Sequence, residues 1–191
     1  MTLKTTTLLL ALAAMSFQAL GASDPESTLR EAMQEAVTVA NASPGGRALA
    51  DKLQPILERR VCFESMTRRA IGPGWREFSP AQQDDATRLF TKLIIRSYSN
   101  KFTPGEEPEV KYLKGSSQGP DKIEIPTSML YKGSRYSIVY RMENRGKWLI
   151  TDILAEGVSL IANYRAQFDE LFKRGGVNAV MDSLKKSVAD T

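Results

Sequence analysis

The chain has 191 residues, with 26 Lys and Arg against 22 Asp and Glu for a net charge of +4, a single cysteine and no histidine. The missing histidine removes His-based triads, His general bases and nearly all zinc-enzyme sites. Acids and bases alternate along the chain without the basic stripe that a nucleic-acid partner requires, and a lone Cys62 cannot close an intrachain disulfide, so stability must come from packing.

Residues 1–22 predict a cleavable export signal. Lys4 supplies a positive start, Leu8 to Ala14 an apolar run, and Ala19-Leu20-Gly21-Ala22 a small-residue exit, with cleavage after Gly21 or Ala22. The apolar run is well short of the ~20 residues a membrane-spanning helix needs. Ser23-Asp24-Pro25 follows where a lipoprotein would carry cysteine. The expectation is a diffusible periplasmic protein whose residues 23–191 form one domain of ordinary size.

Leu29, Met33, Val37 and Ala40 repeat at helical spacing, which predicts an amphipathic helix over 26–41. Its polar face is acidic, so it packs onto the domain rather than lying on a membrane. Pro44 and two glycines break the chain before a second helix with Leu49, Leu53, Ile56 and Leu57 inward, which Pro55 is expected to kink or shorten. Cys62, between Val61 and Phe63, reads as a small core residue. Phe63, Met66 and Ala70 then mark a short third helix ending near Gly72-Pro73-Gly74. Ser79-Pro80-Ala81-Gln82 combines an N-cap, a proline at the first helical position and a capping-box glutamine. A long helix follows, with Ala86, Leu89, Phe90, Leu93, Ile94 and Tyr98 on its apolar stripe, and is expected to run to about Lys101 before Thr103-Pro104-Gly105.

From Glu109 the period changes to two. Val110 and Tyr112, then Ile123 and Ile125, then Tyr136, Ile138, Tyr140 and Met142, and finally Trp148 and Ile150 alternate with polar neighbours. That pattern predicts a twisted four-stranded antiparallel sheet with one apolar and one wet face. Ile161, Tyr164, Phe168, Leu171 and Phe172 return to helical spacing, Gly175 reads as a C-cap, and Val177, Val180, Met181 and Leu184 mark a last short helix. The fold class is α+β, with helices packed over one face of the sheet and enclosing a hydrophobic pocket.

No GxSxG, P-loop or GxGxxG motif occurs in the sequence. Asp152 and Glu156, four apart at a strand-to-helix junction, are the remaining acid–base candidates. Helix capping and a salt bridge to a nearby Arg or Lys account for them more simply. The acidic run Glu106, Glu107 and Glu109 reads as a solvated loop.

Two segments carry a resemblance. Phe63-Glu64-Ser65-Met66-Thr67, Gly72 and Trp75-Arg76-Glu77-Phe78-Ser79-Pro80-Ala81-Gln82-Gln83 form the first. Trp148, Asp152, Glu156-Gly157-Val158-Ser159-Leu160, Tyr164-Arg165, Phe168 and Gly175-Gly176 form the second, preceded by Tyr140 in the strand before. In order and spacing they resemble the MlaC, or toluene-tolerance, family of periplasmic phospholipid-binding proteins, over roughly residues 30 to 187. The resemblance implies a non-enzymatic carrier that holds phospholipid between helices and a twisted sheet. It further implies that the carrier moves lipid between an outer-membrane lipoprotein complex and an inner-membrane ABC transporter, maintaining outer-membrane lipid asymmetry.

The residues suit such a task. Two acyl chains hold roughly 30 methylenes, and exposing them at ~0.8 kcal/mol each would cost on the order of 25 kcal/mol, so a soluble carrier must hide nearly all of them. The head group stays wet and needs no catalytic residue. The candidate lining is Phe90, Leu93 and Ile94 from the long helix, Ile125, Tyr136, Ile138, Tyr140 and Trp148 from the sheet, and Val158, Ile161 and Phe168 after it. Each is read equally well as ordinary core, because apolar stripes at these periods occur in every packed domain. Tyr164 and Arg165 are read as structural, through a hydrogen bond or ion pair, with phosphate binding as the alternative. The expectation is a monomer with a phospholipid ligand and no cofactor, metal or nucleic acid. Two other readings stay open: a hollow-cone enzyme of the isomerase or dehydratase type built on a buried Asp152, and a carrier for another lipid such as a hopanoid.

Overall fold

Asp24 caps the first helix: its carboxylate accepts the Ser27 N–H at 2.9 Å, and Pro25 presets the first turn. The computed structural model describes residues 24–191, so the expected export signal lies outside the described residues. Helix α1 (Pro25–Asn41) buries Leu29, Ala32 and Ala40. Helix α2 (Gly46–Arg60) buries Leu49, Ala50, Leu53 and Ile56. It runs on through Pro55 to Arg60, past the point where the sequence predicts a kink or an early end. Burial of Leu53 and Ile56 on either side offsets the hydrogen bond that proline forfeits. Helix α3 (Phe63–Ile71) is followed by a 3-10 turn, Gly72–Glu77. In α4 (Pro80–Ser99) both halves of the capping box form between Ser79 and Gln82, and the helix stops two residues before its expected end.

Six strands form, against an expected four: β1 (Glu109–Tyr112), β2 (Ser116–Gly119), β3 (Lys122–Tyr131), β4 (Ser134–Asn144), β5 (Trp148–Ala155) and β6 (Val158–Ser159). The two additions are short. β1 and β2 lie on successive stretches of the same edge of β3, and β6 is a two-residue return beside β5. Ser116-Ser117-Gln118-Gly119 is exposed throughout and has no apolar alternation to announce it. All pairings between these strands are antiparallel, in the order β1-β3-β4-β5-β6 with β2 beside β3. The far edge of β5 also carries a parallel bridge between Val61 and Ile150. Helix α5 (Leu160–Asp190) is interrupted at Gly175 and Gly176, where φ at Gly176 is +59°, a left-handed value that favours glycine. The non-helical backbone at Gly175 and Gly176 ends the first arm and begins the last short helix, as the expected C-cap at Gly175 and the final helix required.

Register sorts the sheet into two faces. Ile123, Met142 and Ile150 lie across from one another, as do Ile125, Tyr140 and Ile153, and as do Thr127, Ile138 and Ala155. Side chains that are partners across strands share a face, so this is the apolar side, and its buried members join α1 to α5 in one core. The opposite side carries Glu124, Arg141 and Asp152 in a row across three strands. Close backbone approach between the sheet and the helices is concentrated at β5 and β6. β3 and β4 meet the helices through the length of their side chains.

Candidate functional site

Two regions of the described chain could hold a ligand, and they differ in chemistry. The first is the apolar interior between sheet and helices. Of the residues expected to line it, Phe90, Leu93, Ile94, Ile125, Ile138, Tyr140, Ile161 and Phe168 are buried and belong to one apolar cluster. Phe90 sits at its centre with edge contacts to Tyr164 and Phe168, ring centroids 5.0 and 5.9 Å away. Trp148 is half-buried against this core.

Tyr136 and Val158 depart from the expected lining, being 40% and 63% exposed. Both lie on the apolar face: Tyr136 is two residues along β4 from Ile138, and Val158 pairs with Ala155, which pairs with Ile138. Periodicity predicts the face but not how far the helices cover it. The apolar surface thus continues from the packed core to an uncovered margin.

One polar group on the apolar sheet face is poorly satisfied among the described residues. Tyr140 is buried, and its hydroxyl reaches only the Met33 thioether, 3.6 Å away and a weak acceptor. Burial pushes its phenol well above the ordinary range, with the neighbouring Tyr112 adding to the shift. The Thr127 hydroxyl, by contrast, donates to the Ile138 carbonyl at 3.1 Å.

The second region is an open groove of about 1100 Å³ between the end of α3, the 3-10 turn, the wet face of β4 and β5, and the start of α5. Arg68, Arg69, Arg76, Arg141 and Arg165 line it, with Trp75, Pro73 and Ile161 as apolar walls and Asp152 as its one acid. Asp152 is 1% exposed and accepts from Arg141 Nη1 at 3.2 Å, Ser159 Oγ at 2.7 Å, and the Ile153 and Ile161 N–H groups at 2.9 and 3.2 Å. Arg69 adds an ion pair at 3.7 Å. Asp152 therefore ties the start of α5 to the sheet, and its lone pairs are spent on that task. Glu156 accepts the Ser137 N–H at 2.6 Å and holds the turn before β6. Capping and ion pairing thus account for Asp152, whereas Glu156 is held by a strand N–H in place of the expected helix cap or salt bridge. Among the described residues, no group of three His, Cys, Asp or Glu side chains is placed to hold a metal ion.

Arg165 is braced by Asp169 at 2.9 Å and donates to the Arg69 carbonyl at 3.3 Å. Gly72 makes this possible, since a Cβ there would sit 2.1 Å from the Arg165 guanidinium carbon and φ is +71°. Gly74 similarly accommodates the Phe172 ring. Tyr164 packs on Phe90 and Phe168, and burial raises its phenol, so its part is structural. Cys62 is half-buried at the start of α3, within 3.5 Å of Arg145, rather than in the core. The groove itself was missed by sequence reasoning. Of its arginines only Arg76 and Arg165 belong to recognised motifs, and Arg68, Arg69 and Arg141 read as solvated positions on their own elements.

Comparison with known proteins places this geometry. A family model described as MlaC protein matches residues 28–186. No curated protein sequence matches the chain. Among solved structures, the phospholipid-binding protein from Ralstonia solanacearum, determined in complex with a phospholipid, matches with a TM-score of 0.81 and 23% identity. The match covers 88% of this chain and 98% of that one, and at this identity the likeness is one of fold.

Proposed function

The chain belongs to the MlaC family, and from that premise we propose that it is a non-enzymatic periplasmic carrier whose apolar interior holds the acyl chains of a phospholipid. The observation that carries this reading is the continuity of the apolar sheet face, from buried Ile125, Ile138 and Tyr140 out to exposed Tyr136 and Val158. Acyl chains entering at that margin meet hydrocarbon at every step inward.

The side chains expected to line the interior are buried against one another, so in this reading acyl chains enter as β3 and β4 move away from the helices. Their attachment suits that motion. The layers approach closely along β5 and β6, which would act as the hinge. The only polar side-chain contact of Tyr140 across the gap is with the Met33 thioether. Opening then exchanges side-chain contacts for acyl-chain contacts of the same kind, while transfer from water of roughly 30 methylenes at ~0.8 kcal/mol each supplies the driving force. No described helix is long and apolar enough to cross a membrane, consistent with a carrier that travels between membranes. The donor and acceptor we assign are an outer-membrane lipoprotein complex and an inner-membrane ABC transporter. No catalytic step is assigned, because Asp152, the acid an isomerase or dehydratase would need, is spent on its four hydrogen bonds.

Organic extraction of the purified protein followed by mass spectrometry is expected to yield about one glycerophospholipid per chain, and a hopanoid or other lipid in its place would redirect the assignment. Absence of stoichiometric lipid, together with no uptake from vesicles, would remove it. Ile138→Lys or Leu93→Lys is expected to lower lipid content by an order of magnitude in the protein that folds. Unchanged content in a folded variant would show that the chains lie elsewhere.

A further inference from the structure

The arginine groove lies at the edge of the sheet's wet side, away from the buried apolar face, and the acyl-chain reading does not use its charge. Its five guanidiniums fall into two sets. Arg69, Arg141 and Arg165 are braced: Arg141 by Glu124 at 2.7 Å and Asp152 at 3.2 Å, Arg69 by Asp152 at 3.7 Å and Glu143 at 4.0 Å, and Arg165 by Asp169 at 2.9 Å. Their side chains remain 35 to 40% exposed, so each keeps a face toward the groove while its direction is fixed. Arg68 and Arg76 are exposed and make no ion pair among the described residues.

Among the described residues Asp152 is the one acid lining the groove, and it is buried and saturated, so an incoming anion meets guanidinium faces rather than free carboxylate. A planar guanidinium offers paired N–H donors that match phosphate oxygens, and it holds them better than a lysine would. Trp75 forms part of the wall. An indole beside cationic side chains suits the boundary between head groups and hydrocarbon, where one end of the ring is wet and the other apolar.

We propose that this groove binds the phosphate of an anionic phospholipid head group presented at a membrane surface, as a site separate from the acyl-chain interior. Arg68 and Arg76 make the first contacts, and Arg69, Arg141 and Arg165 form a pre-set floor. The proposal rests on the lipid-carrier reading for its biological sense but on the groove for its chemistry. In the carrier's cycle it would hold the protein at a bilayer while the margin at Tyr136 and Val158 exchanges cargo.

The test is co-sedimentation of the full mature chain with vesicles of phosphatidylglycerol and phosphatidylcholine, against vesicles of phosphatidylcholine alone. The expected result is binding to the anionic vesicles that falls at least ten-fold in the double variant Arg68→Gln, Arg76→Gln. A charge-matched control, Arg47→Gln with Arg135→Gln, alters exposed arginines that do not line the groove and is expected to change binding less than two-fold. Thermal unfolding of each variant establishes that it is folded. Equal losses in both double variants would reduce the effect to net charge and overturn the site. No vesicle binding by the unaltered protein, with saturable binding of glycerol 3-phosphate, would assign the groove to a soluble phosphate ester instead. No vesicle binding with saturable binding of a polyglutamate peptide would assign it to an acidic protein partner. Lipid in the organic extract, measured on the same preparation, separates failure of this site from failure of the carrier reading.

Discussion

The interior and the arginine groove are built on opposite principles, although β4 and β5 contribute to both. Residues at even positions of β4, such as Ile138, Tyr140 and Met142, enter a core held by dispersion and exclusion of water, in which polar atoms are few and loosely satisfied. Arg141, between two of them, turns to the other side and joins a network in which Asp152 is saturated with hydrogen bonds. Non-directional contacts can be exchanged for those of another hydrocarbon without a large change in energy. A saturated charge network has one geometry and loses heavily when any member goes. The molecule thus places adaptable material where cargo would enter and rigid material where an anion would be met.

The sharpest way to break this comparison is Phe90→Ala. With Phe90 fully buried and ringed by Tyr164 and Phe168, the change is expected to destabilise the lipid-free protein by about 3–5 kcal/mol, read by urea unfolding. A loss below ~1 kcal/mol would mean that the interior collapses easily and is not a packed core. Asp152→Asn follows, with an expected cost of about 2–3 kcal/mol, since it keeps the shape but leaves Arg69 and Arg141 without their buried counter-charge. Gly72→Ala is expected to cost about 1–2 kcal/mol from its left-handed backbone, and to free Arg165 from the Arg69 carbonyl. Tyr140→Phe should change stability by less than ~0.5 kcal/mol, because the hydroxyl it removes has only a thioether for a partner. A large loss there, read in the same urea series, would reveal a polar network inside and remove the contrast between the two regions.

What the sequence disclosed follows the same division. Core-facing residues announce themselves because burial imposes a period, and α1, α4 and the four expected strands, β1, β3, β4 and β5, lie where 3.6- and 2-residue spacing put them. The capping box at Ser79 located the start of α4 to the residue. Tyr136 and Val158 show the limit: period assigns a face, but whether another element covers that face is a long-range fact. The groove was illegible for a stronger reason. Its arginines come from α3, the 3-10 turn, β4 and α5, where each alone looks like an ordinary solvated cation, and long-range contacts such as the bridge at Val61, the Arg165 bond to the Arg69 carbonyl and the cap at Asp152 bring those elements together. β2 escaped notice because Ser116-Ser117-Gln118-Gly119 has no buried side to impose a pattern.

The two tryptophans of the chain sit differently: Trp75 lines the groove while also packing on the core beside Phe78, and Trp148 packs against the core at the start of β5. Intrinsic fluorescence therefore weighs the two events proposed for this molecule differently at the two positions. In a Trp75→Phe protein the remaining emission follows filling of the interior. In a Trp148→Phe protein the Trp75 emission responds to the groove as well as to the core, so a stopped-flow phase seen there and absent from the Trp75→Phe record marks surface attachment and gives its order relative to cargo transfer.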